Sequence, residues 1–223
     1  MTTGGGYRPV MPAELRVNFH RDLKVIEDRV MRLFALVAEG LAAATDAFLS
    51  GDREAARAVV VRDKEIDALY REIEGLVQHQ FALQSPMAGD LRFLITVLRL
   101  VPELERSHDL AEHIAQAAAR GIARELSPRM RGLVEEMGRV GHEMWREAAD
   151  AFAEHNSDIH EHLDERDDEM NSLHTSLSAE IGSGALSLPV AMEMVLIARF
   201  YERLGDHAVN VAHRVRYLVL GEL

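Results

Sequence analysis

Apolar residues recur along most of this chain at steps of three and four, the spacing that places them on one side of an α-helix. Ala, Leu, Glu and Arg dominate, and runs of β-branched residues are short. The pattern predicts an all-α protein of six helices. Their expected bounds are Ala13–Ser50, Asp52–Leu83, Asp90–Leu126, Pro128–Glu154, Asp158–Ile181 and Leu188–Leu220.

The third and sixth predicted helices carry matching heptad seams 97 positions apart. The seam of the sixth helix runs through Val190, Met194, Ile197, Tyr201, Leu204, Ala208, Val211, Val215 and Leu218. Its first eight positions match Phe93, Val97, Leu100, Leu104, Ser107, Ala111, Ile114 and Ala118. The second and fifth helices also match, over residues 62–69 and 166–173.

This internal similarity predicts two repeated antiparallel three-helix bundles that pack as one body. We expect the first unit over residues 13–126 and the second over residues 127–223, with the break near Ser127 and Pro128. The polar, Gly-rich residues 1–12 are expected to form a disordered tail.

Composition narrows the possible functions. The formal net charge of −12 argues against binding of nucleic acid, which needs a basic face. The charge is compatible with hard cations, with a basic protein partner, or with an acidic surface that serves only solubility. The absence of cysteine excludes disulfides, iron–sulfur clusters and thiolate zinc sites. No apolar run approaches the roughly 20 residues that span a bilayer, so a membrane-spanning protein is not expected.

Two Glu-xxx-Asp pairs occupy equivalent positions in the repeat, and the i, i+4 spacing places both carboxylates of each pair on one helix face. Antiparallel helices bring residues equidistant from their connecting turn level with each other, so further acids are expected beside each pair. In the first unit the candidate metal ligands are Asp63, Asp67, Glu105 and Asp109. In the second unit they are Asp167, Glu202 and Asp206.

The acidic pairs also continue apolar stripes along their helices. Glu202 and Asp206, for example, extend the stripe formed by Leu188, Met192 and Val195. We therefore expect the acids to interrupt a seam between helices and not to face solvent.

Carboxylates brought together repel each other unless cations neutralise them, and their oxygens suit Mg²⁺, Ca²⁺, Mn²⁺ or iron. Spacing alone leaves a second interpretation open, in which Arg106 and Arg203 form ion pairs with the acids. In that case the chain is a helical adaptor without metal. A third interpretation is a di-metal enzyme of the ferritin-like class, because Glu105 and His108 have its i, i+3 form. That class needs a second Glu-xx-His, and this chain has Gly205 at the equivalent position.

At these residues the sequence resembles the PhoU family of bacterial phosphate-signalling regulators. The stretch Glu-Arg-Leu-Gly-Asp-His-Ala-Val-Asn-Val-Ala at 202–212 is similar to the family hallmark, and residues 83–92 also match. Further matches are Phe19-His20 with Leu23, Gly51-Asp52, and the segment from Asp63 to Asp67. The resemblance extends from about Phe19 to Leu220.

The resemblance implies two three-helix bundles whose acidic motifs bind multinuclear metal clusters. Iron is the metal it implies first, with Mg, Mn, Zn and Ca as alternatives. It also implies a cytoplasmic, non-enzymatic protein that forms a homodimer. The implied role is negative control of phosphate uptake, with the ATPase of the phosphate importer and the phosphate-sensing histidine kinase as partners.

Several positions depart from the family pattern. The first hallmark reads Ser-His-Asp-Leu-Ala-Glu-His at 107–113, and His108 there is a candidate nitrogen ligand. Asn171 replaces the second acid of the motif in the fifth helix. Pro102 lies inside the third helix and is expected to kink it. For His207 and Asn210, metal contact and a hydrogen bond between helices remain equal alternatives.

Overall fold

The computed structural model describes residues 13–83 and 86–221, and within them the protein is built from six α-helices and one short 3₁₀ helix, without strands. The prediction of six helices in an all-α fold is confirmed. The tail expected at residues 1–12 lies outside the described residues. The α-helices are α1 (Ala13–Ser50), α2 (Arg53–Leu83), α3 (Gly89–Ala119), α4 (Pro128–Glu154), α5 (Ile159–Gly182) and α6 (Leu188–Leu220).

The end of α3 differs from the expectation that it reaches Leu126. The helix ends at Ala119 because Gly121 adopts a left-handed conformation with φ of 71°, which stops a helix. The 3₁₀ helix Ile122–Glu125 follows. The next helix begins at Pro128, as predicted. Its N-terminus is capped by Ser127, whose hydroxyl accepts a hydrogen bond from the Met130 N–H.

Helices α1, α2 and α3 pack together, as do α4, α5 and α6, and the two groups meet through α1 against α4 and α3 against α6. The last pair runs antiparallel over most of its length. Arg120 forms an ion pair of 2.7 Å with Glu193, and at the other end the Arg92 Nε donates to the Leu218 carbonyl at 3.3 Å. Both acidic motifs therefore lie on neighbouring central helices. The unit boundary near Ser127 stays a prediction.

The heptad seams form the core. Every seam residue of α6 is buried, and in α3 only Phe93 is half-buried. Burial of these side chains supplies most of the driving force for packing the helices. Trp145 of α4 is fully buried, with its ring 6.3 Å from that of Phe34 in α1. The hydroxyls of Thr45 and Tyr201 form a hydrogen bond of 2.8 Å that links α1 to α6.

The expectation that the stripe before Glu202 lies in a seam between helices is wrong. Leu188, Met192 and Val195 are exposed by 73, 63 and 52%. A helix turns about 100° per residue, so Leu188 lies about 200° around α6 from Val190, whose side chain is in the core. The stripe consequently follows the outer face of α6.

Helix α1 is long and apolar enough, by length and composition, to cross a membrane. Within Asn18–Ser50 an 18-residue window has a mean hydropathy of 1.5, and 56% of it is buried inside the protein. A core helix gives the same signal, and Val30, Leu33 and Val37 are fully buried against the other helices. The apolar character of α1 is therefore explained by its place in the bundle.

Candidate metal centres

The first acidic site lies between α2 and α3. Oxygen atoms of Asp63, Asp109 and Glu112 all lie within 4.8 Å of one another, and the three side chains are half-buried. In the part of the chain that the structure describes, this is the one group of three or more His, Cys, Asp or Glu side chains that converges so closely. Three oxygens at this separation can bind a single hard cation.

The electrostatics show that these acids repel one another. Burial raises the pKa of Asp109, and the negative charge of Asp63 raises it further. Burial also raises the pKa of Glu105, with Asp109 and Asp67 adding to the effect and Arg106 opposing it. The raised pKa values of Asp109 and Glu105 mean that these two carboxyl groups are harder to ionise than in water, and a bound cation would offset that cost.

The fourth candidate, Asp67, has a partner within its own helix, since Arg71 forms an ion pair with it. Arg106, which the ion-pair interpretation assigns to the acids, faces Glu103 of its own helix at 3.8 Å. Among the described residues no ion pair with lysine or arginine involves Asp63, Glu105 or Asp109. Arginine pairing across helices therefore does not account for the first site.

His108, a candidate nitrogen ligand, is fully buried, and neither ring nitrogen has a hydrogen-bond partner. Its ring packs against Gly40 of α1, where an added Cβ would lie 3.2 Å from Nδ1. Burial lowers the pKa of His108, and the charge of Asp63 opposes that shift. His108 is not a member of the converging group.

The second acidic site lies between α5 and α6. The Asp167 Oδ2 accepts a hydrogen bond of 2.9 Å from the Asn171 amide, while Oδ1 is buried without a partner. Burial raises the pKa of Asp167 to about 6, and the charges of Asp206 and Glu202 contribute. The charges of Glu202 and Asp206 thus act on Asp167 across α5 and α6, but the three acids do not form a converging group like that of the first site in the described part of the chain.

Gly205 provides the space that the Asp167 carboxylate occupies. A Cβ added to Gly205 would lie 2.6 Å from the Asp167 Oδ1, which is far inside van der Waals contact. The glycine of the hallmark thus forms a cradle for a carboxylate of the neighbouring helix.

The other two acids of the second site differ in exposure. Glu202 is half-buried and accepts a hydrogen bond from Arg199, but its Oε2 is buried without a partner. Asp206 is exposed, so the expectation that all the acids avoid the solvent face is wrong for this residue. Asp206 lies on the open side of the site, where it lines a cavity of about 440 Å³ together with Arg203 and Asn210.

His207 connects the two central helices. Its Nδ1 lies 2.9 Å from the Ser107 hydroxyl of α3, and its Nε2 lies 3.8 Å from Glu103. The ring is buried. His207 therefore links α3 to α6, and both His207 and Asn210 line the cavity beside the second site.

The donor atoms at the two acidic sites are of the kind that bind a hard metal ion. Both sites offer carboxylate oxygens, the ligands of hard cations, and the second site contains two buried carboxylate oxygens without partners, in Asp167 and Glu202. Sequence reasoning did not include Glu112 among the ligands. Its position three residues after Asp109, on the same helix face, was the available signal.

Comparisons with known proteins point to one family. The PhoU domain family matches twice, over residues 30–118 and 134–215. The phosphate-specific transport system accessory protein PhoU homolog 2 of Mycobacterium tuberculosis is 31% identical over 210 residues, which covers 93% of this chain and 99% of that protein. PhoU homolog 1 of Thermotoga maritima is 30% identical, with 92% and 90% covered.

Solved structures give the same result. The crystal structure of PhoU from Pseudomonas aeruginosa superposes with a TM-score of 0.84 at 28% identity and covers 92% of this chain and 100% of its own. The phosphate transport system regulatory protein PhoU from Streptococcus pneumoniae gives a TM-score of 0.81 at 27% identity, with 92% and 98% covered. The family model, the relatives and the solved structures agree with one another, and the chain belongs to the PhoU family.

Proposed function

We propose that this protein is a metal-binding accessory regulator of phosphate transport. The support from comparison is that relatives matching nearly the whole chain carry the name of accessory proteins of the phosphate-specific transport system. The support from geometry is a pair of acidic sites at equivalent places on the two central helices. The single observation that carries the metal assignment is the convergence of three carboxylates in the first site.

Metal at these sites has a structural purpose in the proposal. In the first site the cation would be held by Asp63, Asp67, Glu105 and Asp109, together with Glu112, whose carboxylate converges with those of Asp63 and Asp109. In the second site it binds among the Asp167, Glu202 and Asp206 carboxylates. A bound cation supplies positive charge that offsets the mutual repulsion of the acids, and family resemblance favours iron. By binding the cation together, the acids hold neighbouring helices in one register and so fix the faces that partners recognise.

The proposed role is negative control of phosphate uptake by a cytoplasmic protein that has no enzymatic activity. The proposed partners are the ATPase of the phosphate importer and the phosphate-sensing histidine kinase, and the proposed state is a homodimer. Phosphate status passes between these partners through the helix faces, with no chemistry at the metal.

A gene replacement in the native host tests the proposal. The Glu202→Ala/Asp206→Ala variant is expected to lose metal and to express a phosphate-starvation reporter in high phosphate. A matched control is Asp150→Ala/Glu154→Ala, which removes two exposed acids at the same i, i+4 spacing in α4. Unchanged reporter repression with unchanged metal content in the first variant would contradict the proposal. Retained repression after loss of metal would instead indicate a metal-free adaptor.

A further inference from the structure

The outer face of α6 holds a concentration of exposed apolar side chains. In the part of the chain that the structure describes, nine large apolar side chains are exposed, and four of them lie within nine consecutive positions of α6. These four residues, which we call the apolar patch, are Leu188, Met192, Val195 and Leu196. Single exposed apolar residues are common on protein surfaces, whereas a contiguous group of them marks a surface that another molecule covers.

Helix geometry places the apolar patch on one side of α6. With a turn of about 100° per residue, Met192 lies about 40° and Leu196 about 80° around the helix from Leu188, and Val195 lies about 20° in the other direction. The four side chains therefore share an arc of about 100°, the width of the apolar stripe that a helix normally buries against a partner.

The equivalent residues of the first unit are covered. Leu91, Ile95 and Leu98 of α3 stand 97 positions before the first three members of the apolar patch, and all three are half-buried. The fourth equivalent residue is Arg99, which is polar and exposed. The first unit therefore covers this face of its helix largely from within, and the second unit leaves the same face open.

The neighbouring helices explain this difference. The match between residues 62–69 and 166–173, carried further along the chain, places Thr175 and Ser178 of α5 where α2 has Arg71 and Glu74. In α2 the two positions follow Asp67 at i+4 and i+7, on the helix face directed at α3. Their long side chains extend over the α2–α3 contact, whereas the short hydroxyl side chains of α5 leave the outer face of α6 uncovered.

Two arginines continue the apolar patch toward the middle of α6. Arg199 and Arg203 lie on the same arc, about one and two turns after Val195. Arg199 forms an ion pair with Glu202 of its own helix. Arg203 is exposed, and within the described residues it has no ion pair. On a chain of net charge −12, this end of the face favours a ligand that carries a carboxylate.

The order of apolar and basic residues argues against a second copy of this chain as the occupant. A two-fold contact of α6 with itself would set Arg203 opposite Leu188 if the helices ran antiparallel, and opposite the other arginine if they ran parallel. Neither arrangement places a carboxylate opposite Arg203. The net charge of −12 likewise opposes binding to an anionic membrane surface.

We propose that the apolar patch and Arg203 form a docking site for an amphipathic helix of a partner protein. The partner helix covers the apolar patch with apolar residues spaced three and four apart, and one or two turns beyond them its aspartate or glutamate pairs with Arg203. The face from Leu188 to Arg203 spans about 22 Å, so a helix of about 15 residues covers it. The inference rests on the regulatory part of the proposed function, for which it identifies the partner-binding face.

Photo-crosslinking in the native host tests this docking site. The photoreactive amino acid p-benzoylphenylalanine replaces Val195 in the full-length protein, and mass spectrometry identifies the cross-linked peptide. We expect a peptide from a host protein with apolar residues three and four apart and an acidic residue beyond them. Arg203→Glu should weaken the cross-link, and exchange of the acidic residue of the captured segment for arginine should restore it. The same photoreactive residue at Val61, an exposed apolar position of α2, is the control and should not capture that peptide.

A variant of the apolar patch provides the functional readout. Leu188→Ser/Met192→Ser should lower the cross-link yield by about tenfold, because two apolar anchors are lost, and should raise expression of the phosphate-starvation reporter in high phosphate. Metal content and circular dichroism should stay unchanged, since both residues are exposed and outside the acidic sites. Val61→Ser/Met87→Ser, which removes two exposed apolar side chains elsewhere, is the matched control.

The possible failures are distinguishable. Cross-links from Val195 only to a second copy of this chain, only to lipid, or to a segment without acidic residues would overturn the inference, as would their absence. The same holds if Leu188→Ser/Met192→Ser behaves like its matched control, and in each case the proposed function would stand. A host that lacks this gene and still represses the reporter would contradict the proposed function, and the cross-links alone would then decide the inference.

Discussion

Single residues explain why the two hallmarks of this chain form unequal sites. Gly205 has no side chain, and a methyl group there would collide with a carboxylate oxygen of Asp167. His108 fills the equivalent place and is tolerated because Gly40 faces it. Gly205 thus determines where the Asp167 carboxylate can lie, whereas His108 packs against α1 and is not a member of the converging group.

The Gly205→Ala variant is predicted to weaken metal binding at the second site by about tenfold, because the added methyl group displaces the Asp167 carboxylate. The measurement is Mn²⁺ affinity by calorimetry in a background in which Asp109→Asn disables the first site. Gly75→Ala is the matched control, since a Cβ at this position in α2 meets nothing within 4 Å. The control should retain the affinity and gain up to about 1 kcal/mol of stability. Equal affinities in the two variants would contradict this role of Gly205.

The raised pKa of Asp167 predicts a pH dependence for the chelated protein. The folded protein keeps the Asp167 proton up to about pH 6, whereas the unfolded chain loses it near pH 4. Ionisation of this residue therefore lowers the free energy of unfolding as the pH rises from about 4 to about 6. Asp167→Asn should remove this pH-dependent loss. The free energy of unfolding of the variant should therefore rise relative to that of the wild type between about pH 4 and pH 6. Urea unfolding at pH 4, 5, 6 and 7 measures the difference, and a constant difference would contradict the prediction.

The sequence predicted the positions of individual side chains least completely. Spacing identified Asp63 and Asp109, because an antiparallel hairpin fixes which residues are level. It did not identify Glu112, since the repeat was used as the guide and the second unit has valine there. Nor could it find that Asp206 is exposed, because exposure depends on the angle at which α5 packs beside α6.

At the scale of elements, periodicity was the reliable signal. The seam of α6 is buried at every predicted position, as expected for a helix that packs against several others. The end of α3 was misjudged because Ile122–Glu125 continues an apolar pattern, while the left-handed Gly121 has already stopped the helix. Leu188 and Met192 are apolar but exposed, because the turn of the helix places them opposite the buried seam of α6.

Close packing of α1 against α4 depends on a glycine. A Cβ at Gly138 would lie 2.4 Å from the Thr45 Cγ2 and 2.6 Å from its hydroxyl oxygen. That hydroxyl also bonds to Tyr201, so the contact joins three helices. The two helices can approach this closely only where one of them lacks a side chain.

Gly138→Ala is therefore predicted to destabilise the protein by about 1–3 kcal/mol, the usual cost of overpacking a core. Urea denaturation followed by circular dichroism gives the change in the free energy of unfolding. Gly132→Ala, in the same helix but with nothing within 4 Å of the added Cβ, should be neutral or stabilising. A Gly138→Ala variant as stable as Gly132→Ala would show that the two helices can separate without cost.

At the scale of the whole molecule, the repeat places two acidic sites on adjacent antiparallel helices, α3 and α6. The hydrogen bond between Ser107 and His207 and the ion pair between Arg120 and Glu193 hold those helices together. A change of metal occupancy at either proposed site would therefore act on helices that contact both units. This arrangement fits the proposed role, in which the protein presents its helix faces to more than one partner.

The central claim is that the acidic motifs bind metal, and metal content tests it most directly. Untagged protein purified without added metal, and its Glu202→Ala/Asp206→Ala variant, would be compared by inductively coupled plasma mass spectrometry. The account predicts iron, manganese or zinc in the wild type and a lower content in the variant, with the first site still occupied. Absence of metal from both proteins, together with a melting temperature that chelation leaves unchanged, would contradict the claim.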